Sequence, residues 1–355
     1  MSAISHEVDP DLRDMLEDFF ATEVTPEVID AAERSGTYAA DVWKKAESLD
    51  LPSIGIDEER GGAGGSLADL VALVGEASRR ATPAPFVEHH LAAWLLAHSD
   101  LGQIEGPLTV AGLSGDPVVV DAGHLTATLP DVTWASDATA IVLLARDLSG
   151  ADVVAVLRPQ DAILESYTDI DGTPVASVVA TDAAVQVAPL ELSREAVLRR
   201  AALLRSAVLA GLTRAMFELT KTYVAERHQF GKPVGSFQSV QLHTVTLAQN
   251  SAMSQVCVDR ATGALAIGGG EFEVLATTAV TAQNAVQSAR SAHQAHGAIG
   301  MTREYPLQFL TRRVQSWRQR WQSQAEVEDA VASWALAAPA LSGLIARHRE
   351  EGVVA

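Results

Sequence analysis

The sequence predicts a mainly α-helical protein with a small β-domain in its middle. Apolar residues at helical spacing fill the first hundred residues and return after Ser193. Between Leu108 and Val187, short valine-rich runs alternate with Gly, Asp and Pro, which is typical of an antiparallel sheet. We therefore place an N-terminal helical domain at residues 1–106, a middle β-domain at 107–190 and a C-terminal helical bundle at 191–355.

Local signals predict individual helices in the first domain. Asp9 and Pro10 precede a segment whose apolar residues recur at helical spacing, and Ser66 is a candidate N-cap for a second apolar helix. Between them, the glycine-rich stretch 61–65 lacks a following Gly-Lys-Ser/Thr and is predicted to be a loop rather than a phosphate site. The adjacent histidines His89 and His90 are expected at the surface or at a helix end.

Composition excludes several classes of function. The formal net charge of -19 argues against nucleic acid or an anionic membrane as a partner, because phosphate binding needs clustered Lys and Arg. The local exception runs from Arg303 to Arg320 and holds five arginines. A single cysteine, Cys257, excludes an internal disulfide and a zinc cluster built on thiolates. With no signal peptide or membrane span evident, we expect a cytoplasmic protein without membrane insertion.

Two segments of the C-terminal half carry most of the information about function. The first, Arg227 to Gln241, reads RHQFGKPVGSFQSVQ and combines an arginine at a helix end with a Gly-Lys-Pro turn and a Phe-Gln pair. An arginine there offers two parallel donors to a diphosphate, although a helix-capping role would also explain it. The second, Gln294 to Leu307, reads QAHGAIGMTREYPL, with Ala298 beside Gly297.

Together these segments resemble signature motifs of the acyl-CoA dehydrogenase family, in the same order and at a similar separation. The resemblance covers most of the chain and is faint in the β-domain. It implies a C-terminal four-helix bundle, FAD as the cofactor, an acyl-CoA thioester as the substrate and electron-transfer flavoprotein as the electron acceptor. In the family, both segments reach across a dimer interface to FAD held mainly by a neighbouring subunit. The implied FAD contacts are Arg227, Gln229, Phe230, Gln238, Gln294 and Gly297.

The position of the family's catalytic base departs from the pattern. Many members place a Glu-Gly-Thr about ten residues beyond a Phe-Leu-Arg-Asp stretch. Here Phe309-Leu310 begins the corresponding stretch, and counting forward puts Arg320-Trp321-Gln322 at the expected position. An arginine remains protonated at any working pH and cannot remove a proton. We also expect Trp321 to fill space that the family leaves for the substrate and the flavin ring.

Some relatives carry the base on an earlier helix, which leaves Glu271 or Glu273 as a displaced alternative. Arg260 lines up with a family arginine that orients the active site, or is a solvated helix residue. The β-domain lacks the family's Thr-Glu-Pro and Gly-Ser-Asp loop between Thr109 and Gly123. Trp134 either corresponds to the family tryptophan beside the flavin or is simply a buried strand residue.

Three hypotheses follow. The leading one is a non-catalytic subunit of a heteromeric enzyme of the steroid-catabolism type, whose second chain supplies the catalytic Glu. The others are a self-sufficient homomeric enzyme that uses Glu271 or Glu273, and a scaffold derived from the family.

Overall fold

The computed structural model describes residues 8–337 as helices, then a β-sheet, then helices, which confirms the predicted fold class. The first helices are α1 (Pro10–Glu23), α2 (Pro26–Ser35), α3 (Ala40–Glu47), α4 (Leu67–Arg79) and α5 (Phe86–Ala97). Both predicted helix starts are confirmed. Asp9 caps α1, and Ser66 exchanges hydrogen bonds with Asp69 to form a capping box at α4.

The middle of the chain forms an eight-stranded sheet in the order β6-β7-β3-β2-β4-β5-β8, with β1 also paired to β4. The strands are β1 (Leu108–Ala111), β2 (Val118–Asp121), β3 (His124–Thr133), β4 (Ala140–Arg146), β5 (Asp152–Leu157), β6 (Ile163–Thr168), β7 (Pro174–Ala184) and β8 (Gln186–Pro189). The expectation of an antiparallel sheet is wrong at β4, because β1 and β2 both run parallel to it. Every residue of β4 except Arg146 is buried, as strands with parallel neighbours usually are.

The C-terminal part is a bundle of long helices. It consists of α6 (Arg194–Glu226), α7 (Gln238–Ala266), α8 (Glu271–His296), α9 (Leu307–Trp317) and α10 (Gln324–Ala337). A short hairpin of β9 (His228–Gln229) and β10 (Lys232–Pro233) separates α6 from α7. Among residues 8–337, no helix combines the length and the apolar character that crossing a bilayer requires.

One apolar core joins the three parts of the chain. It contains buried side chains from α1 and α4, from one face of the sheet and from α6, represented by Phe20, Leu70, Val142 and Leu209. Helix α5 lies inside this core and is buried along its whole length. From sequence, His89 and His90 are expected at the surface or at a helix end. The surface expectation is wrong, because both side chains are buried within α5, whose packing on all sides depends on distant parts of the chain.

Candidate functional site

The two signature segments meet at one end of the bundle. Tyr223 of α6 stacks on His296 of α8 at 4.4 Å between ring centroids, and its hydroxyl donates a hydrogen bond to the His296 carbonyl. Nearby, Val224, Val234 and Ala295 form a small apolar cluster. This packing fixes the β9–β10 hairpin beside the C-terminal end of α8.

All six residues expected to contact FAD are exposed on this chain. They are Arg227, Gln229, Phe230, Gln238, Gln294 and Gly297. Phe230 is 90% exposed and has a positive φ of 53°, a backbone conformation that is uncommon for a bulky residue. An aromatic side chain that is exposed to solvent buries almost none of its apolar area. The exposed surface around Phe230 therefore fits a flat group, or another chain, that covers it. The residues present thus fit an FAD approached from outside the chain.

Arg320, at the position expected for the catalytic base, lies in the buried interior. Its Nη1 donates a hydrogen bond to Glu88 Oε1 of α5 at 2.5 Å, and the two side chains are 7% and 2% exposed. The same carboxylate oxygen accepts a hydrogen bond from Thr133. The Arg320 guanidinium also lies 4.0 Å from the centroid of the Trp317 ring. The Arg320 side chain is therefore held between α5 and α9.

Burial raises the pKa of the Glu88 carboxyl, while Arg320 and Thr133 act in the opposite direction. The short contact with Arg320 favours the ionised form, since a charge-assisted hydrogen bond of this length needs the carboxylate. A carboxylate so paired is not free to remove a proton from a substrate.

Arg205 of α6 holds the turn that carries Arg320. Its Nη1 donates hydrogen bonds to the carbonyls of Arg320 and Gln322 at 2.8 and 2.6 Å. Burial lowers the pKa of Arg205 to about 10. Within this turn, Trp321 has a positive φ of 64° and packs edge-on against Trp317. The turn thus holds Arg320 and the half-buried Trp321, fixed by the buried Arg205, where the family pattern has Glu-Gly-Thr.

Arg320 lines several cavities, two of which lie on opposite sides of its side chain. One has a volume of about 40 Å³ and lies beside Glu88, Trp134 and Trp317. It has room for about three water molecules and none for an acyl chain. The other has a volume of about 690 Å³ and lies between the sheet and α9, lined in part by Gly112 to Asp116 and by Trp321. Arg320 lines both, so it forms part of the wall between them.

The structure also locates the other residues that the sequence singled out. Trp134 is 5% exposed and lines the smaller cavity, which supports its interpretation as a buried residue. Arg260 is exposed on α7, as expected for a solvated arginine. Among the residues described, neither Glu271 nor Glu273 lines either cavity that meets at Arg320. Both lie in the first turn of α8.

Sequence reasoning missed Glu88 and Arg205. Each is a single charge within an otherwise apolar helical stretch, and such a residue is almost never fully buried unless it is paired. That signal predicts a buried partner for each. It does not identify the partner, because Glu88 and Arg320 are 232 residues apart in sequence.

Comparison with known proteins agrees with the fold and the motifs. The N-terminal domain of acyl-CoA dehydrogenases matches residues 7–100, and their C-terminal domain matches residues 191–319. The chain belongs to the acyl-CoA dehydrogenase family, as its two signature segments predict. FAD is the cofactor of this family, which confirms the expected cofactor at that level.

Among curated relatives, the acyl-CoA dehydrogenase FadE34 of Mycobacterium tuberculosis is 30% identical over 258 residues, covering 68% of this chain and 34% of the relative. The chain thus aligns with about a third of that relative. The acyl-CoA dehydrogenase IpdE2 of the same organism is 27% identical over 264 residues, covering 70% of this chain and 76% of the relative.

Solved structures show the same fold. The ChsE4-ChsE5 complex from Mycobacterium tuberculosis contains a chain that superimposes with a TM-score of 0.85 at 20% identity. The superposition covers 95% of this chain and 100% of that chain.

Proposed function

We propose that this chain is the non-catalytic subunit of a heteromeric, FAD-dependent acyl-CoA dehydrogenase, and that it lends half of a cofactor site to a second chain. The observation that carries this proposal is Arg320 at the expected base position, fixed in a buried ion pair with Glu88. A guanidinium cannot serve as the base for removing the α-proton of a thioester.

The exposed surface formed by the signature segments supports the second part of the proposal. Arg227 has no hydrogen bond or ion pair from its guanidinium within residues 8–337, so its donors are available to a diphosphate. Gln238 and Gln294 add amide donors on the same end of the bundle. When bound there, FAD supplies the hydride acceptor of the reaction. This chain would orient the cofactor, and the partner would supply the catalytic Glu.

The resemblance to FadE34 and IpdE2, and the fold shared with the ChsE4-ChsE5 complex, support a partner of the same family. On this proposal the substrate is an acyl-CoA, and electron-transfer flavoprotein is the electron acceptor. A steroid-derived acyl group is the substrate class that we propose, by analogy with the heteromeric, steroid-catabolism type of the family that the sequence resembles.

Expression of the chain alone and together with an acyl-CoA dehydrogenase-type chain from a neighbouring gene tests the proposal. We expect colourless, inactive protein alone, and a yellow complex with acyl-CoA dehydrogenase activity on co-expression. Flavin and turnover in the chain alone would instead support a homomeric enzyme. Absence of flavin under both conditions, despite complex formation, would leave a scaffold.

A further inference from the structure

A basic cavity lies apart from the ion pair of Arg320. It has a volume of about 270 Å³ and lies between α8, α9 and the turn that joins β6 to β7. Its charged or titratable lining residues are Arg290, His293, Arg312 and Arg318, and its lining includes no acidic residue. In a chain with a formal net charge of -19, such a local excess of positive charge is unusual.

Most arginines of the basic segment 303–320 are paired elsewhere. Glu33 of α2 accepts hydrogen bonds from Arg312 at 2.6 Å and from Arg313 at 3.2 Å. One carboxylate neutralises only one of the two guanidinium charges that it contacts. Arg320 is paired with Glu88. The buried Asp171 also lies with Arg313 and Arg320 around the neighbouring small cavity, so the excess positive charge beside the basic cavity is that of Arg290 and Arg318.

Arg318 and Arg290 are the unpaired cations of this cavity. Neither side chain has a hydrogen bond or ion pair among residues 8–337. The Nε of Arg318 is buried and lacks a hydrogen-bond partner. A buried donor without a partner costs free energy, which a bound acceptor would recover.

His293 and Thr311 complete the polar lining. The Nε2 of His293 lies 3.3 Å from the Thr311 hydroxyl, and burial lowers the pKa of His293, which favours the neutral ring. In that state the Thr311 hydroxyl and the ring offer hydrogen bonds without adding charge. The positive charge of the cavity thus comes from its arginines.

We infer that this cavity binds a phosphoryl group. Guanidinium groups match the geometry of phosphate oxygens, and the two unpaired arginines supply charge-assisted donors. The volume lies below the range of pockets that enclose drug-sized ligands, so it suits an anionic group rather than a complete nucleotide. Both inorganic phosphate and the terminal phosphate of a nucleotide have this chemistry.

Calorimetric titration of the full-length chain with inorganic phosphate, at ionic strength held constant with NaCl, tests the inference. We expect saturable binding that weakens at least tenfold in Arg318→Gln and in Arg290→Gln. Arg303→Gln is the matched control, because Arg303 is exposed and does not line the cavity. Its affinity for phosphate should be unchanged.

Titration with ADP distinguishes the two sources of the phosphoryl group. Binding of ADP tighter than phosphate, and equally sensitive to Arg318→Gln, indicates a nucleotide; equal or weaker binding indicates free phosphate. The inference is overturned by a lack of saturable phosphate binding, or by equal losses in all three variants. Because the chain is titrated without a partner, this result is independent of whether a heteromeric enzyme forms.

Discussion

The Arg320 guanidinium lies 2.5 Å from the buried Glu88 carboxylate, so the residue at the position expected for the catalytic base is half of an ion pair. Removing one partner of a buried pair leaves an uncompensated charge. We expect Arg320→Ala to lower the free energy of unfolding by about 3–5 kcal/mol. Urea denaturation monitored by tryptophan fluorescence measures this change.

The control for that experiment is Arg146→Ala, which breaks the more exposed ion pair between Arg146 and Asp152. It should cost about 1 kcal/mol or less. The double variant Glu88→Leu/Arg320→Met removes both charges and should be more stable than Arg320→Ala. If Arg320→Ala costs no more than the control, the pair does not hold the turn in place.

Restoring a carboxylate at residue 320 is expected to give no activity in the chain alone. Glu88→Gln/Arg320→Glu avoids two like charges in contact, yet Trp321 still stands beside the new carboxylate, and the small cavity between Glu88 and Trp134 has no room for an acyl chain. Removal of the α-proton by a base gives no turnover unless a hydride acceptor is positioned beside the substrate. Turnover of acyl-CoA by this variant without a partner would show that the chain has a complete site of its own.

Acid should destabilise the chain through His89. Burial lowers the pKa of His89 to about 4, and its Nδ1 accepts a hydrogen bond from the Leu108 amide, which requires the neutral ring. In the unfolded chain a histidine titrates near pH 6.5. Its contribution to stability is therefore present above about pH 6.5 and is lost as the pH falls toward 4, by about 3 kcal/mol.

Urea denaturation at several pH values between 7 and 4 checks this prediction against His89→Gln, which cannot titrate. The free energy of unfolding of the variant should depend less steeply on pH than that of the natural chain. Equal slopes would mean that His89 is protonated in the folded state.

Several features were predictable because they depend on neighbouring residues. The capped starts of α1 and α4 follow from Asp9 and Ser66, and the signature segments identified the family. The parallel pairing of β4 was not predictable, because strand propensity carries no direction. The burial of His89 and His90 and the partner of Arg320 depend on contacts between distant parts of the chain.

Phe230 provides a test of the exposed surface that does not involve charge. If a cofactor or partner covers it, Phe230→Ala should weaken association with the partner chain while leaving the unfolding free energy of the isolated chain almost unchanged. That separation is expected because the side chain is 90% exposed in the chain itself. Analytical ultracentrifugation and urea denaturation measure the two quantities. A loss of stability without a change in association would contradict the prediction that a cofactor or partner covers Phe230.

The retention of flavin by the complex that carries Arg227→Ala tests the half-site most directly. Loss of a charge-assisted contact typically costs about 1.5–3 kcal/mol, so we expect the affinity for flavin to fall roughly tenfold or more. Dialysis of the complex measures the flavin that it retains. The control complex with Arg34→Ala, which removes an exposed arginine of α2, should retain its flavin. If the Arg227→Ala complex keeps its full flavin, Arg227 only caps α6 and the chain does not lend this residue to a shared FAD site.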